Sequence, residues 1–293
     1  MSDHYDDQPA GQEELFDDEM RTRSSLDELL HESRMYKSSK DYKDLLDFVV
    51  RLRNFAPFNA MLLHMQNPNL RYAATLRDWR DRYRRTPKAG ARPLITLRPF
   101  GPVSLVYEYK DTEGAPLPPD LDSFVAAGNV TERDLAKYEK LLYRKAIRMI
   151  YEDVRDQSAG WIRRELKPES EGTGSHRYLM MIHRNHAPPV QFVTLTHELG
   201  HLTLGHLGPD RELNVPDRPR RSHAMLEIEA ESVAYLVCER NGVESRSHPY
   251  LSRYVEEETT IDTLDVYQIM LAAGRVEAML GLTAGRDVME ELR

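Results

Sequence analysis

Apolar positions along this chain recur first at a helical spacing. In DYKDLLDFVVRLRNF (residues 41–55), Leu45, Phe48, Val49 and Leu52 fall on one stripe and predict a helix. PFNAMLLHMQNP (57–68) predicts a second, bounded by Pro57 and Pro68, and ATLRDWRDRYRR (74–85) a short third. Upstream, SSLDELLHESRMY (24–36) offers a capping serine at 24 or 25 followed by early acids and Leu26, Leu29 and Leu30, the signature of another helix start. The period then shortens. RPLITLRPF (92–100) and PVSLVYEYK (102–110) predict two strands around a turn at 100–102.

After the proline-rich break DTEGAPLPPDLD (111–122), where a domain boundary is expected, ERDLAKYEKLLYRKAIRMIYEDV (132–154) reads as one long amphipathic helix. HRYLMMIHRN (176–185) reads as a strand, with a turn at HAPP (186–189). FVTLTHELGHLTLGHLG (192–208) reads as a helix of about three turns ending near Gly205 or Gly208. A loop at 211–223 leads to the long helix AMLEIEAESVAYLVCERNG (224–242), and TLDVYQIMLAAGRVEAML (263–280) supplies the last helix. Runs of helix and strand that do not alternate regularly indicate an α+β fold.

Charge divides the 293 residues more sharply than hydrophobicity does. Residues 1–33 carry −9, residues 34–110 carry +10 and residues 111–293 carry −9, for a net −8. The first 23 residues, acidic and without an apolar period, read as a disordered tail and not as a secretory signal. No apolar run is long enough to span a membrane. A single cysteine, Cys238, fits a cytoplasmic location and leaves metal binding to His, Glu and Asp. Within the basic stretch, Arg77, Arg80, Arg82, Arg84, Arg85, Lys88 and Arg92 surround Trp79 and Tyr83. Clustered cations with interleaved aromatics can pair with phosphates and stack on unpaired bases, although Trp79 fits a core position better than a stacking platform.

The candidate chemistry lies in THELGHL. On a helix, residues four apart stand one above the other, so His197 and His201 can aim their imidazoles at one ion about 2.0–2.1 Å away. Glu198 projects beside that ion, where it can take a proton from an activated water. A catalytic zinc needs a third protein ligand. His206 follows Gly205 directly and lies nine residues after His197, one short of the spacing of the long three-histidine motif. The small-residue stripe of the next helix is the better source. Glu227 and Glu231, four apart on one face with Ala230 and Ala234, can present one ligand and one supporting acid, whereas Glu229 points away.

These residues resemble those of the ImmA/IrrE-type zinc metallopeptidases and of ArdC-type antirestriction proteins over roughly residues 175–245. The resemblance implies a zincin-like (gluzincin-like) metallopeptidase with one Zn2+ per chain held by His197, His201 and Glu227, and Glu198 as catalytic base. The family pattern commonly has Asn or Asp where Glu231 stands, so Glu231 is a supporting acid or an alternative ligand. FAPFNAMLLHMQNP and LRDWRDRYRRTPKAGARPL, with the two strands after them, resemble the N-terminal single-stranded-DNA-binding domain of ArdC-type proteins. The expected organisation is therefore an acidic tail (1–23), a small α+β DNA-binding domain (24–112), a linker (113–130) and a metallopeptidase domain (131–293). The expected activity is hydrolysis of a peptide bond in a protein substrate, with a DNA-binding regulator as a candidate. The strand at 176–185 is the expected edge for an extended peptide; Tyr178 or His183 on it could help hold the oxyanion, although each fits a structural role better. The alternative is a non-proteolytic DNA-binding accessory factor of a mobile element with a structural zinc.

Overall fold

The structure, a computed structural model, describes residues 39–98, 101–117, 130–153, 159–165, 176–245 and 264–282. The expected tail, the helix near Ser24 and most of the expected linker lie outside these residues. Helix α1 (Ser39–Arg51) and helix α2 (Pro57–Gln66) open the chain, followed by strand β1 (Ala73–Thr75), helix α3 (Leu76–Asp81) and strands β2 (Arg85–Pro87), β3 (Leu94–Arg98), β4 (Gly101–Glu108) and β5 (Thr112–Gly114). Then come helix α4 (Glu132–Tyr143), strands β6 (Ile147–Glu152), β7 (Gly160–Arg164) and β8 (Tyr178–His183), and helices α5 (Pro188–Thr203), α6 (His223–Arg240) and α7 (Val266–Leu280). The fold is α+β. Among the described residues no helix is long and apolar enough to cross a membrane.

The first half is organised around an antiparallel sheet in the order β1-β4-β3. Its β3 edge is covered by side-chain amides of α2. Gln66 donates to the Ile95 carbonyl and accepts from the Ile95 N–H at 2.9 and 2.8 Å, and Asn59 does the same for Leu97 at 3.0 and 2.9 Å. Two amides thus replace the missing neighbouring strand and blunt an edge that would otherwise invite pairing. Thr75 caps α3 by accepting from the Asp78 N–H, and Trp79 behind that cap is fully buried, with its indole N–H on the Tyr107 carbonyl.

The second half holds a mixed sheet in the order β6-β8-β7, with β6 parallel and β7 antiparallel to β8. Two expectations change here. The long helix expected over 132–154 stops at Tyr143, because Ala146 turns into the left-handed region (φ 59°) and Ile147 and Met149 then bury alternate side chains on β6. In addition, β8 is the central strand and not an edge. Both its sides are already hydrogen-bonded, so an extended peptide cannot add to it.

Helix α5 begins at Pro188, one turn earlier than the apolar run suggests. Prolines 188 and 189 sit where a helix lacks N–H partners in any case. Buried residues of α1 and α2 join those of α4, α5, α6, α7 and the mixed sheet in one continuous core. Within it Arg240 of α6 donates to Glu277 of α7 at 2.7 Å and to the carbonyls of Val49 and Phe55 at 2.7 and 2.8 Å. One guanidinium therefore ties the α1–α2 junction to the last two helices.

Candidate metal centre

Helices α5 and α6 pack closely enough to share a site because Gly200 lies where they meet. A Cβ there would stand 3.1 Å from the Ala230 carbonyl oxygen and 3.3 Å from its Cα. The four-residue spacings on the two helices then face each other. His197 Nε2 and His201 Nε2 are 3.1 Å apart. Glu227 places one carboxylate oxygen 3.4 Å from His197 Nε2 and the other 3.5 Å from His201 Nε2. Ligands at about 2.0–2.1 Å around a tetrahedral zinc are separated by roughly 3.3–3.4 Å, so the three donors already have the spacing of a closed coordination face. These three residues form the potential metal-binding cluster found among the described residues. The donor chemistry agrees: with His197 Nδ1 held by Glu231, its Nε2 faces His201 Nε2 and the Glu227 carboxylate, two imidazole nitrogens and a carboxylate of the kind a zinc ion takes.

Glu231 accounts for the opposite side of His197, with Oε2 3.0 Å from Nδ1. Burial alone would hold the His197 pKa down, but hydrogen bonds to Glu227 and Glu231 outweigh it and raise it to about 10. His201 is pushed the other way, to about 4, by burial and by the neighbouring His197. Glu227 stays below the usual carboxylate range because of its hydrogen bond with His197. Glu198 is buried beside the donors, and burial raises its carboxyl to about 7, with His197 and a backbone hydrogen bond from Ile162 of β7 pulling it partly back. A carboxyl in that range exchanges protons near neutrality.

Residues 145–238 match the Peptidase_M78 family, the IrrE N-terminal-like domain. That stretch runs from the start of β6 to near the end of α6 and contains His197, Glu198, His201, Glu227 and Glu231. Two solved structures resemble the chain more broadly. The Mn(II)-bound antirestriction ArdC protein from the R388 plasmid is 14% identical, covering 84% of this chain and 98% of that one with a TM-score of 0.42. Its metal-free structure is 14% identical, covering 77% and 82% with a TM-score of 0.34. No curated protein matches the chain.

Beyond the donors, the region that matches the IrrE N-terminal-like domain holds a buried polar cluster that the sequence does not disclose. Glu229, which points away from the donors as expected, is fully buried; it accepts two hydrogen bonds at 2.8 Å from Arg218 and lies 3.2 Å from Arg221 and 3.1 Å from His206 Nε2. His206 in turn places Nδ1 2.9 Å from Nδ1 of His201. The one signal for it is the pair Gly205-His206, a chain reversal immediately after the helix. Tyr178 and His183 make structural contacts: the Tyr178 hydroxyl donates to buried Asp210 at 3.0 Å, and His183 stacks on His186 with ring centroids 4.4 Å apart.

The basic residues around α3 divide. Arg77, Arg80, Arg82, Arg84, Lys88 and Arg92 lie at the surface. Arg77 and Arg82 pair with Asp81 and Asp78 at 3.4 Å, and Lys88 donates to the Lys110 carbonyl at 2.7 Å. Arg85 is buried, and its guanidinium is spent within the protein. It donates to the Thr112 hydroxyl and carbonyl at 2.8 and 2.7 Å and to the Ala115 carbonyl, and lies 4.4 Å over the Tyr109 ring. The expectation that Arg85 contacts phosphate is corrected accordingly. Trp79 takes the core position expected of it, and Tyr83 shares a 2.7 Å hydroxyl contact with Tyr72.

Proposed function

We propose that this protein is a zinc metallopeptidase that hydrolyses a peptide bond in a protein substrate, and that its basic N-terminal half binds single-stranded DNA. The reading divides the labour between residues 24–112 and residues 131–293. The observation that carries it is the set of donor separations at His197, His201 and Glu227, 3.1, 3.4 and 3.5 Å, with a buried carboxyl at Glu198 beside them. These three residues would hold the ion. When bound, zinc supplies Lewis acidity that polarises a scissile carbonyl and acidifies water. Beside that ion Glu198 would take up and give back a proton, its carboxyl raised to about 7 by burial. Glu231 keeps the proton of His197 on Nδ1, so that Nε2 remains the donor. Strand β7 lies at the sheet edge beside α5, and its Ile162 backbone holds the Glu198 carboxyl in place.

A second reading keeps the metal but not the hydrolysis: a DNA-binding antirestriction or accessory factor with a structural zinc, in keeping with what the ArdC relative is called. Glu198 separates the two, since a structural ion has no use for a buried, proton-exchanging carboxyl next to its donors. Metal analysis of the full-length protein is expected to give close to one zinc per chain. A peptide library presented with and without single-stranded DNA is expected to be cleaved by the wild type, but not by a Glu198→Gln variant that keeps its zinc. Zinc-loaded wild type and Glu198→Gln behaving alike across the library would discard the peptidase and leave the accessory factor.

A further inference from the structure

The C-terminus of α5 is built so that one residue beyond the helix returns to a residue inside it. The Gly205 N–H bonds the Leu202 carbonyl at 3.1 Å and the His206 N–H bonds the His201 carbonyl at 3.0 Å, the paired bonds of a Schellman turn. The turn needs a left-handed residue, and Gly205 has φ 82°; a Cβ there would also stand 2.5 Å from the Pro216 carbonyl oxygen. The same geometry that closes the helix therefore lays the His206 side chain against that of His201.

With His206 as the neutral imidazole, hydrogen-bond valence fixes where the protons sit. Glu229, as a carboxylate, can only accept, so the His206 Nε2 at 3.1 Å from it carries the proton. In the neutral ring Nδ1 is then bare, and the 2.9 Å approach to His201 Nδ1 is a hydrogen bond only if His201 donates. A proton on His201 Nδ1 leaves its Nε2 as a lone pair, on the side where His197 Nε2 and Glu227 stand. Glu229 is itself immobilised by Arg218 and Arg221, and Arg218 also donates to the Leu204 carbonyl at 3.3 Å, fastening the network to the end of α5. With side-chain exposures of 4% for His206 and 0% for Glu229, water does not substitute for either partner.

We propose that His206, fixed by Glu229 and Arg218, is a positioning residue of the metal centre that selects the metal-binding tautomer and ring orientation of His201. His206 does for His201 what Glu231 does for His197, through one more ring. The inference rests on the metal-site reading above and adds to it residues that bind no ion themselves.

The test uses the full-length protein stripped of metal, with zinc titrated against a chromophoric chelator and the electronic absorption of the cobalt(II) form as a second readout. His206→Leu is expected to weaken zinc by about 10- to 100-fold, the usual cost of losing a partner behind a metal ligand. His206→Asn, whose amide oxygen stands near the position of Nδ1 and can accept from His201, is expected to recover most of that affinity and the wild-type cobalt spectrum. His206→Gln, whose amide reaches toward Glu229 and not toward His201, is expected to behave like His206→Leu. If the leucine variant does not fold, the comparison of Asn with Gln decides alone. Wild-type affinity in a folded His206→Leu protein, or equal losses in the Asn and Gln variants, would overturn the proposal while leaving the metal site intact. Equal zinc binding by wild type and His201→Ala would overturn the metal site itself, and the proposal with it.

Discussion

Gly200 of α5 meets Ala230 of α6 so closely that even a Cβ would be crowded: it would stand 3.1 Å from the Ala230 carbonyl oxygen and 3.4 Å from the Val233 Cβ. Two of the three nearest atoms belong to backbone, which does not yield as a flexible side chain does. A Gly200→Val substitution must therefore part the two helices that carry the donors. Overpacking of this kind costs about 1–3 kcal/mol, more than the helix propensity gained on replacing glycine. The expected result is a lower Tm together with weaker zinc binding, read by thermal unfolding and chelator competition. A variant with unchanged zinc affinity would show that the donor geometry does not depend on this close approach.

Arg80 and Arg84 are exposed and Arg85 is not, which separates candidate phosphate partners from structural cations. Replacing Arg80 and Arg84 together is expected to flatten the log–log salt dependence of single-stranded DNA binding by about 1.4, at about 0.7 for each phosphate no longer neutralised. Zinc content is expected to stay unchanged. Arg85→Ala is expected instead to lower thermal stability, because the carbonyls of Thr112 and Ala115 lose their donor. A salt slope that the Arg80, Arg84 double variant leaves as it was would remove these two residues from any nucleic-acid interface.

Glu229 makes stability depend on acid. Burial would raise its pKa, but His206 and Arg218 overcome that and hold it at about 2, against an ordinary value of 4.5. A depressed carboxylate stabilises the folded state fully above the unfolded value and loses that contribution as pH falls from about 4.5 toward 2. At about 1.36 kcal/mol per pH unit the shift corresponds to about 3 kcal/mol. Wild type is therefore expected to be more stable than Glu229→Gln at pH 7, with the gap closing toward about pH 2.5 in thermal unfolding. A constant gap across that window would place the acid sensitivity elsewhere.

The buried pair Arg240–Glu277, 2.7 Å long with side-chain exposures of 2% and 4%, should show strong non-additivity. Removing Glu277 alone leaves a buried guanidinium without its counter-charge and is expected to cost about 3–5 kcal/mol, whereas an apolar replacement of both residues costs less than the sum of the singles. A double-mutant cycle in urea measures the coupling; simple additivity would show that Arg240 acts through the Val49 and Phe55 carbonyls alone.

The donors are legible in the sequence because a helix is a ruler. His197 and His201, and likewise Glu227 and Glu231, are four residues apart, and that spacing alone puts each pair on one face. His206 cannot be placed that way. Its position depends on a reversal at Gly205, and the same Gly205-His206 pair that speaks against His206 as a third ligand is what brings it against His201. The segment 144–152 reads as helix in the sequence because its apolar residues suit a helix as well as a strand; only the left-handed turn at Ala146 and pairing with β8 decide between them. Strand β7 leaves almost no pattern, since Ile162 is its one buried side chain. Arg85 groups with its basic neighbours in the sequence because composition does not show which cation folds inward.

The reach of Arg240 across the molecule also sets a timetable. A ribosome delivers α1 and α2 first, but their apolar faces are closed by α6 and α7, more than 180 residues further on. At about 5–20 residues per second, roughly 10–40 s pass between the emergence of Gln66 and that of Leu280. Through that interval the nascent chain carries an uncovered apolar surface, which makes it a client for chaperones. A product cut short before Val266 never receives α7, and so ends with Arg240 lacking Glu277 and α2 lacking a wall of its core.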